Sequence, residues 1–187
     1  MNVLLVDNYD SFTFNLYHLL EDMVENVTVL RNDELDFKFV KSFDKIVLSP
    51  GPGLPSESGQ LIPFIKEFYK TKSILGICLG HQAIAEVFGS KLLNMREVKH
   101  GVKSHLDYFD KTEVLFSGLS ENTVVGHYHS WVIDPNSISN DLQITSKSKD
   151  LIMSISHKNY DVKGLQFHPE SVLTTQGSTI LKNWINS

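Results

Sequence analysis

SILGICLGHQAIAEVF, from Ser73 to Phe88, changes its hydrophobic period halfway along. Ser73 to Ile77 is a short apolar run of the kind that forms a buried parallel strand. From His81 onward Ala83, Ile84, Val87 and Phe88 recur at helical spacing. Between them stands G-x-C-x-G, a sharp strand-to-helix turn with Cys78 at its centre. Gly76 and Gly80 lack the side chains that would collide there, so Cys78 is held out at the strand's carboxyl end, as the serine of a G-x-S-x-G elbow is. The position is also a helix amino terminus, where unpaired N–H groups and the dipole favour an anion such as a thiolate. A lone intracellular cysteine is usually a small buried hydrophobe. A nucleophile needs a base and an oxyanion site as well, and the rest of the chain offers both.

Outward from this turn, the first half alternates strand and helix. Val3 to Val6 reads as a buried strand, and Ser11 as the cap of a helix presenting Phe12, Leu16, Leu19 or Leu20, and Met23 on one face. Val27 to Leu30 and Ile46 to Leu48 are further strands. SPGPGLP is a loop, and Leu61, Ile62, Phe64, Ile65 and Phe68 line a helix leading to the elbow strand. That order predicts a parallel α/β sheet with right-handed crossovers. Beyond Gly89 come short strands at Lys91 to Leu93, Val98 to His100, Thr123 to His127, Leu142 to Thr145, Leu151 to Ser156 and Val162 to Phe167, which predict an antiparallel section added to that sheet. A last helix carries Ile180, Leu181, Trp184 and Ile185. The fold expected is an open, mostly parallel sheet flanked by helices.

With 187 residues, 41% of them hydrophobic, the chain is long enough for one well-buried core and short for two, so residues 1–187 read as a single domain. The net charge of −5 comes without a basic block or acidic tail and gives no electrostatic case for nucleic acid or an anionic membrane. One cysteine forms no internal disulfide. MNVLLVD breaks its apolar run at Asp7, too early for a signal peptide or a membrane span. The cytoplasm is the compartment these features favour.

Three motifs should meet at Cys78, because ligands of open parallel sheets bind at the carboxyl ends of strands. Ser49 to Gly53, SPGPG, is a stiff loop whose glycines let backbone N–H groups approach a ligand, which suits an oxyanion hole, although an ordinary Pro-Gly turn would look the same. In FHPES, His168 is expected to end a strand. With Glu170 two residues on, an extended backbone would aim both side chains to one face, and a histidine oriented by a carboxylate serves as a base. HYHSW, His127 to Trp131, has a metal-like His-x-His spacing but no third ligand in register. It reads as a polar strand end lining the pocket, and no metal is expected.

SPGPG, GICLGHQ, HYHSW and FHPES, in this order and after the opening VDNYDSFTFN, resemble the triad-type (class I) glutamine amidotransferases. More narrowly they are similar to the glutaminase subunits of anthranilate synthase and aminodeoxychorismate synthase. The opening and the segment RND at Arg31 to Asp33 point to this chorismate-linked branch. The resemblance implies Cys78 as nucleophile, His168 as acid/base and Glu170 as its orienting carboxylate. It implies oxyanion donors at Gly53 and Leu79, and a glutamine pocket of Gly51, Pro52, Gly53, Gln82, Ser130 and Trp131. HYHSW replaces the commoner RYHSL, and HGV at His100 to Val102 stands where HGK is usual.

By the same resemblance the substrate is L-glutamine and the partner a larger chorismate-utilising synthase subunit that receives the ammonia. No cofactor is implied in this chain, with magnesium expected in the partner. Anthranilate synthesis is the first expectation and aminodeoxychorismate synthesis the alternative, alone or shared. A stand-alone γ-glutamyl hydrolase is the more distant reading.

Overall fold

The computed structural model describes residues 1–187. The first half alternates β1 (Asn2–Asp7), α1 (Thr13–Glu21), β2 (Asn26–Arg31), α2 (Phe37–Val40), β3 (Lys45–Leu48), α3 (Leu61–Phe68), β4 (Ser73–Ile77) and α4 (Leu79–Val87). The second half holds β5 (Leu92–His105), β6 (Tyr108–Phe109), β7 (Val124–Ile133), β8 (Leu142–Ser148), β9 (Leu151–His157) and β10 (Val162–Leu165), then α5 (Gly177–Ile185). One sheet has the order β2-β1-β3-β4-β10-β9-β8-β6. Its β2, β1, β3, β4 and β10 are parallel, and β9, β8 and β6 continue it antiparallel. This is the α/β architecture that the alternating pattern predicts.

Side-chain alternation along the strands explains why both faces need helices. Val3, Leu5, Val47, Leu75 and Ile77 point to one face, where they meet Leu16 and Leu20 of α1 and Ile180, Leu181 and Trp184 of α5. Leu4, Val6, Ile46, Leu48 and Ile74 point to the other, against Leu61, Phe64, Ile65 and Phe68 of α3 and Ala83 and Ile84 of α4. Each such buried side chain contributes about 1.5–3 kcal/mol relative to exposure. No helix is long and apolar enough to cross a membrane.

Three local readings are corrected and one short helix is added. Ser11 does not cap α1, whose N-cap residue is Phe12 with no side-chain cap. Asp7 organises the turn before the helix, its Oδ1 accepting from Tyr9 N–H at 2.9 Å and from Thr13 Oγ1 at 2.8 Å. The runs at Lys91 and Val98 are one strand, β5, and it pairs with β7 in a separate two-stranded ribbon. Register shifts between Asn94/Lys99 and His100/Val102 break its periodicity and hide its continuity. β10 ends at Leu165, before Phe167. The four-residue α2, capped by Asp36 through Lys38 N–H at 2.9 Å, is too short to show a period.

β1, β3, β4 and β10 are neighbours in the sheet, so the loops leaving their carboxyl ends converge. Those loops carry Asn8 to Phe12, Ser49 to Gly53, Cys78, and Gln166 to Glu170.

Candidate active site

Cys78 sits between β4 and α4 at φ 50°, ψ −97°, a conformation that a non-glycine residue adopts only when its surroundings impose it. Those surroundings are visible. A Cβ on Gly80 would lie 2.6 Å from the Leu48 carbonyl oxygen, and one on Gly76 would overlap the Gly80 backbone, so α4 approaches β3 and β4 too closely for any side chain there. Cys78 N–H donates to the Leu165 carbonyl at 2.7 Å, which fastens the elbow to the end of β10.

His168 lies three residues past β10 and is buried with Glu170. Its Nδ1 is 2.6 Å from Glu170 Oε1. The pair is made by a turn and not by the extended backbone expected, since His168 C=O accepts from Ser171 N–H at 3.2 Å and folds Glu170 back beside the imidazole. Thr174 pins this turn to β7: its hydroxyl donates to His168 C=O at 2.6 Å and accepts from Gly126 N–H at 2.9 Å. From behind, α5 presses on the turn through Gly177, where any Cβ would overlap the Pro169 carbonyl oxygen.

Two aromatic rings flank the imidazole, Tyr128 at 5.0 Å and Phe12 at 5.8 Å between centroids. Burial pulls the His168 pKa down, but hydrogen bonding to Cys78 and to Glu170 outweighs it and pushes the pKa up to about 10. The imidazolium therefore persists at neutral pH beside the sulfur.

A cavity of about 230 Å³ opens at Cys78. Gly51, Pro52, Gly53, Gln82, Ser130 and Trp131 all line it, so the six pocket residues named from sequence are brought together. Gly53 holds φ 71°. Leu79 is the first residue of α4, so its N–H has no carbonyl partner within the helix, while its side chain is buried in the core. Sequence reasoning missed Lys99 and His100, which reach the same cavity because β5 pairs with β7. The HGV motif was the available signal.

A second cavity, of about 490 Å³, shares Cys78 with the first and is lined by His168, Phe12, Ser11 and Tyr9. Tyr9 is half exposed at φ 62°. Asp33 accepts its hydroxyl at 2.9 Å, and the Arg31 guanidinium lies 5.1 Å from its ring centroid, so the RND segment fixes this side chain.

The His-x-His pair is not an open ligand set. His127 Nδ1 lies 3.1 Å from His129 Nε2, and His127 Nε2 lies 2.7 Å from Ser104 Oγ. Burial lowers the pKa of His127 to about 4 and that of His129 to about 3, and burial lowers His81 on α4 to about 3. These three are neutral in the folded chain and titrate near their ordinary value of 6.5 once unfolded. At pH 5.5 each takes up about one proton on unfolding, so stability rises with pH and is lost as pH falls from about 6.5 towards 4. His168, raised instead, keeps its proton in the folded chain and loses it above about pH 6.5 once unfolded, so it opposes this trend towards pH 7.5, but as one group against three. We expect a lower urea midpoint at pH 5.5 than at pH 7.5; an equal or higher one would contradict burial of neutral imidazoles.

Residues 4–187 match the family model for glutamine amidotransferase class-I. The chain belongs to the class-I glutamine amidotransferase family. An aminodeoxychorismate synthase component 2 of Klebsiella aerogenes is 43% identical to it over 187 residues, spanning 98% of this amidotransferase and 99% of the relative. An anthranilate synthase component 2 of Leptospira biflexa is 41% identical over 203 residues and all of both chains. A Bacillus subtilis relative, named aminodeoxychorismate/anthranilate synthase component 2, is 37% identical over 188 residues, 99% of this chain and 96% of its own. Among solved structures, a putative GMP synthase subunit protein of Thermoplasma acidophilum superposes with a TM-score of 0.88 at 26% identity. The match covers all of this amidotransferase and 92% of that chain.

Proposed function

We propose that this amidotransferase is the glutamine-hydrolysing subunit of a chorismate-aminating synthase, with Cys78 as nucleophile, His168 as acid/base and Glu170 as its orienter. The observation that carries the reading is the buried pair of His168 and Glu170 set beside a cysteine on a strained elbow at the glutamine-sized cavity.

Cys78 sulfur attacks the side-chain carbonyl of glutamine, and the Gly53 and Leu79 N–H groups hold the oxyanion. Loss of one such donor costs about 3–4 kcal/mol of transition-state stabilisation in comparable sites. The C–N bond then breaks with its electron pair on nitrogen. Nitrogen takes the His168 Nε2 proton and leaves as ammonia. The now neutral imidazole accepts a proton from the water that attacks the thioester, which releases glutamate and returns the electron pair to sulfur. A charged His168 suits this order, since the first proton must go to the leaving group. No cofactor takes part in these steps, and magnesium belongs to the partner.

Ammonia protonated in bulk water is lost to the synthase, so the partner has to cover the site. The second cavity, with half-exposed Tyr9 at its rim and His168 in its wall, supports docking of the synthase on the Asn8 to Ser11 loop.

Anthranilate synthesis remains the first reading, and the 43% identical aminodeoxychorismate relative supports the second. Mixing the chain separately with each synthase subunit of its source, with glutamine, magnesium and chorismate, decides between them. Fluorescent anthranilate in one mixture gives the first pathway, aminodeoxychorismate in the other gives the second, and both products make it a shared subunit. No glutamine-dependent product in either mixture overturns the proposal.

A further inference from the structure

Gln166 is fully buried one residue past β10 and was not among the sequence-derived site residues. Because Cys78 N–H is bonded to the neighbouring Leu165 carbonyl, the Gln166 side chain is delivered to the nucleophile: its Nε2 lies 3.6 Å from Cys78 Sγ. The orientation of this amide follows from its neighbours. The Trp131 carbonyl can only accept, so the Gln82 atom 2.8 Å from it is the donating Nε2. That same Nε2 lies 3.3 Å from Gln166, whose facing atom must therefore be Oε1, and the NH₂ group is turned to the sulfur. Gln166 N–H, bonded to the Met153 carbonyl at 2.8 Å, anchors the residue on β9.

We propose that Gln166 is a further positioning residue of the amidotransferase, donating its side-chain amide to Cys78 Sγ and linking the nucleophile through Gln82 to the Trp131 wall of the glutamine cavity. It rests on the assignment of Cys78 as nucleophile. The physical need is plain: Cys78 is only 6% exposed, so a sulfur anion there has almost no water and depends on fixed donors. Gln166 supplies one from the sheet side, and His168 Nε2, buried without another partner, is left for the reacting side. The amide chain ends on Trp131, in the wall where glutamine would sit, so the side chain that sets sulfur position is itself held by the pocket.

The test is the rate of Cys78 alkylation by iodoacetamide, followed across pH in the full chain, for the native protein and Gln166→Met. Methionine keeps the length and removes the donor. A lost hydrogen bond to an anion should displace the alkylation profile upward by about one pH unit, slow alkylation about tenfold at pH 6.5, and lower glutaminase kcat in the synthase complex about tenfold with KM within about threefold. A folded Gln166→Met protein with an unmoved profile and kcat within about twofold overturns the inference. A second measurement needs no substitution at 166: the Gln166 side-chain amide resonances of the native protein should shift with the alkylation midpoint and stay fixed in Cys78→Ala. Resonances that do not move also overturn it. A native protein whose Cys78 resists alkylation at every pH fails the nucleophile assignment itself, and the inference with it.

Discussion

Replacing Cys78 by serine is expected to lower glutamine-dependent turnover by about 10⁴-fold or more while the assembled synthase still uses added ammonium. In the native site the raised His168 holds a proton at neutral pH close to the sulfur. A serine hydroxyl does not surrender its proton at neutral pH, and His168 loses one of the two partners that raise its pKa, Glu170 being the other. A ready nucleophile is then missing, and the proton for the departing nitrogen is held less firmly. The substitution is otherwise small, and the elbow is held by the close packing of Gly76 and Gly80, so the fold and the docking face should survive. Glutamate release and ammonium-dependent synthesis must be measured together. Retained glutaminase turnover in Cys78→Ser would sink the assignment of the nucleophile, and loss of both activities would point to failed assembly.

Removing His168 and removing Glu170 should differ in size. His168→Ala takes away the proton shuttle and the donor to sulfur, and is expected to approach the loss seen with Cys78→Ser. Glu170→Ala removes the 2.6 Å contact to Nδ1 but leaves the imidazole packed between Tyr128 and Phe12 and its carbonyl pinned by Thr174. Much of the ring's placement therefore remains. By analogy with triads in which the acidic member matters less than the nucleophile or base, Glu170→Ala should retain about 10- to 100-fold more rate than His168→Ala. Steady-state kinetics on folded proteins of matched glutamine affinity check this. Equal losses would mean that the carboxylate does more than orient.

The elements legible in the sequence are those whose stabilising contacts repeat locally. Apolar runs at Val3 to Val6, Ile46 to Leu48 and Ser73 to Ile77 must be strands buried on both faces, and the helical spacing around Phe64 and Ile84 must cover them. From these alone follow the parallel sheet, the elbow at Cys78, and the convergence of SPGPG and FHPES at its carboxyl edge. Cys78, His168 and Glu170 could be singled out for the same reason, each lying in a motif that follows a strand, whereas the proposed pocket residues were named only through the family resemblance.

What the tertiary structure decided has no local period. Whether Lys91 to Leu93 and Val98 to His100 are two strands or one depends on β7, about 30 residues away, whose hydrogen bonds bridge the irregular register between Asn94 and Lys99. That pairing brings Lys99 and His100 to the cavity. The turn that folds Glu170 onto His168 is held by Thr174, in the loop that follows it, and backed by Gly177 at the start of α5. Gln166 meets Cys78 only because β10 lies beside β4 in the sheet, 88 positions apart along the chain. Motifs specify which groups take part, since strand ends and turns carry their own sequence rules. Distances between them are set by strand order and by side chains that share a contact but no periodicity, and these exist only once the sheet has closed.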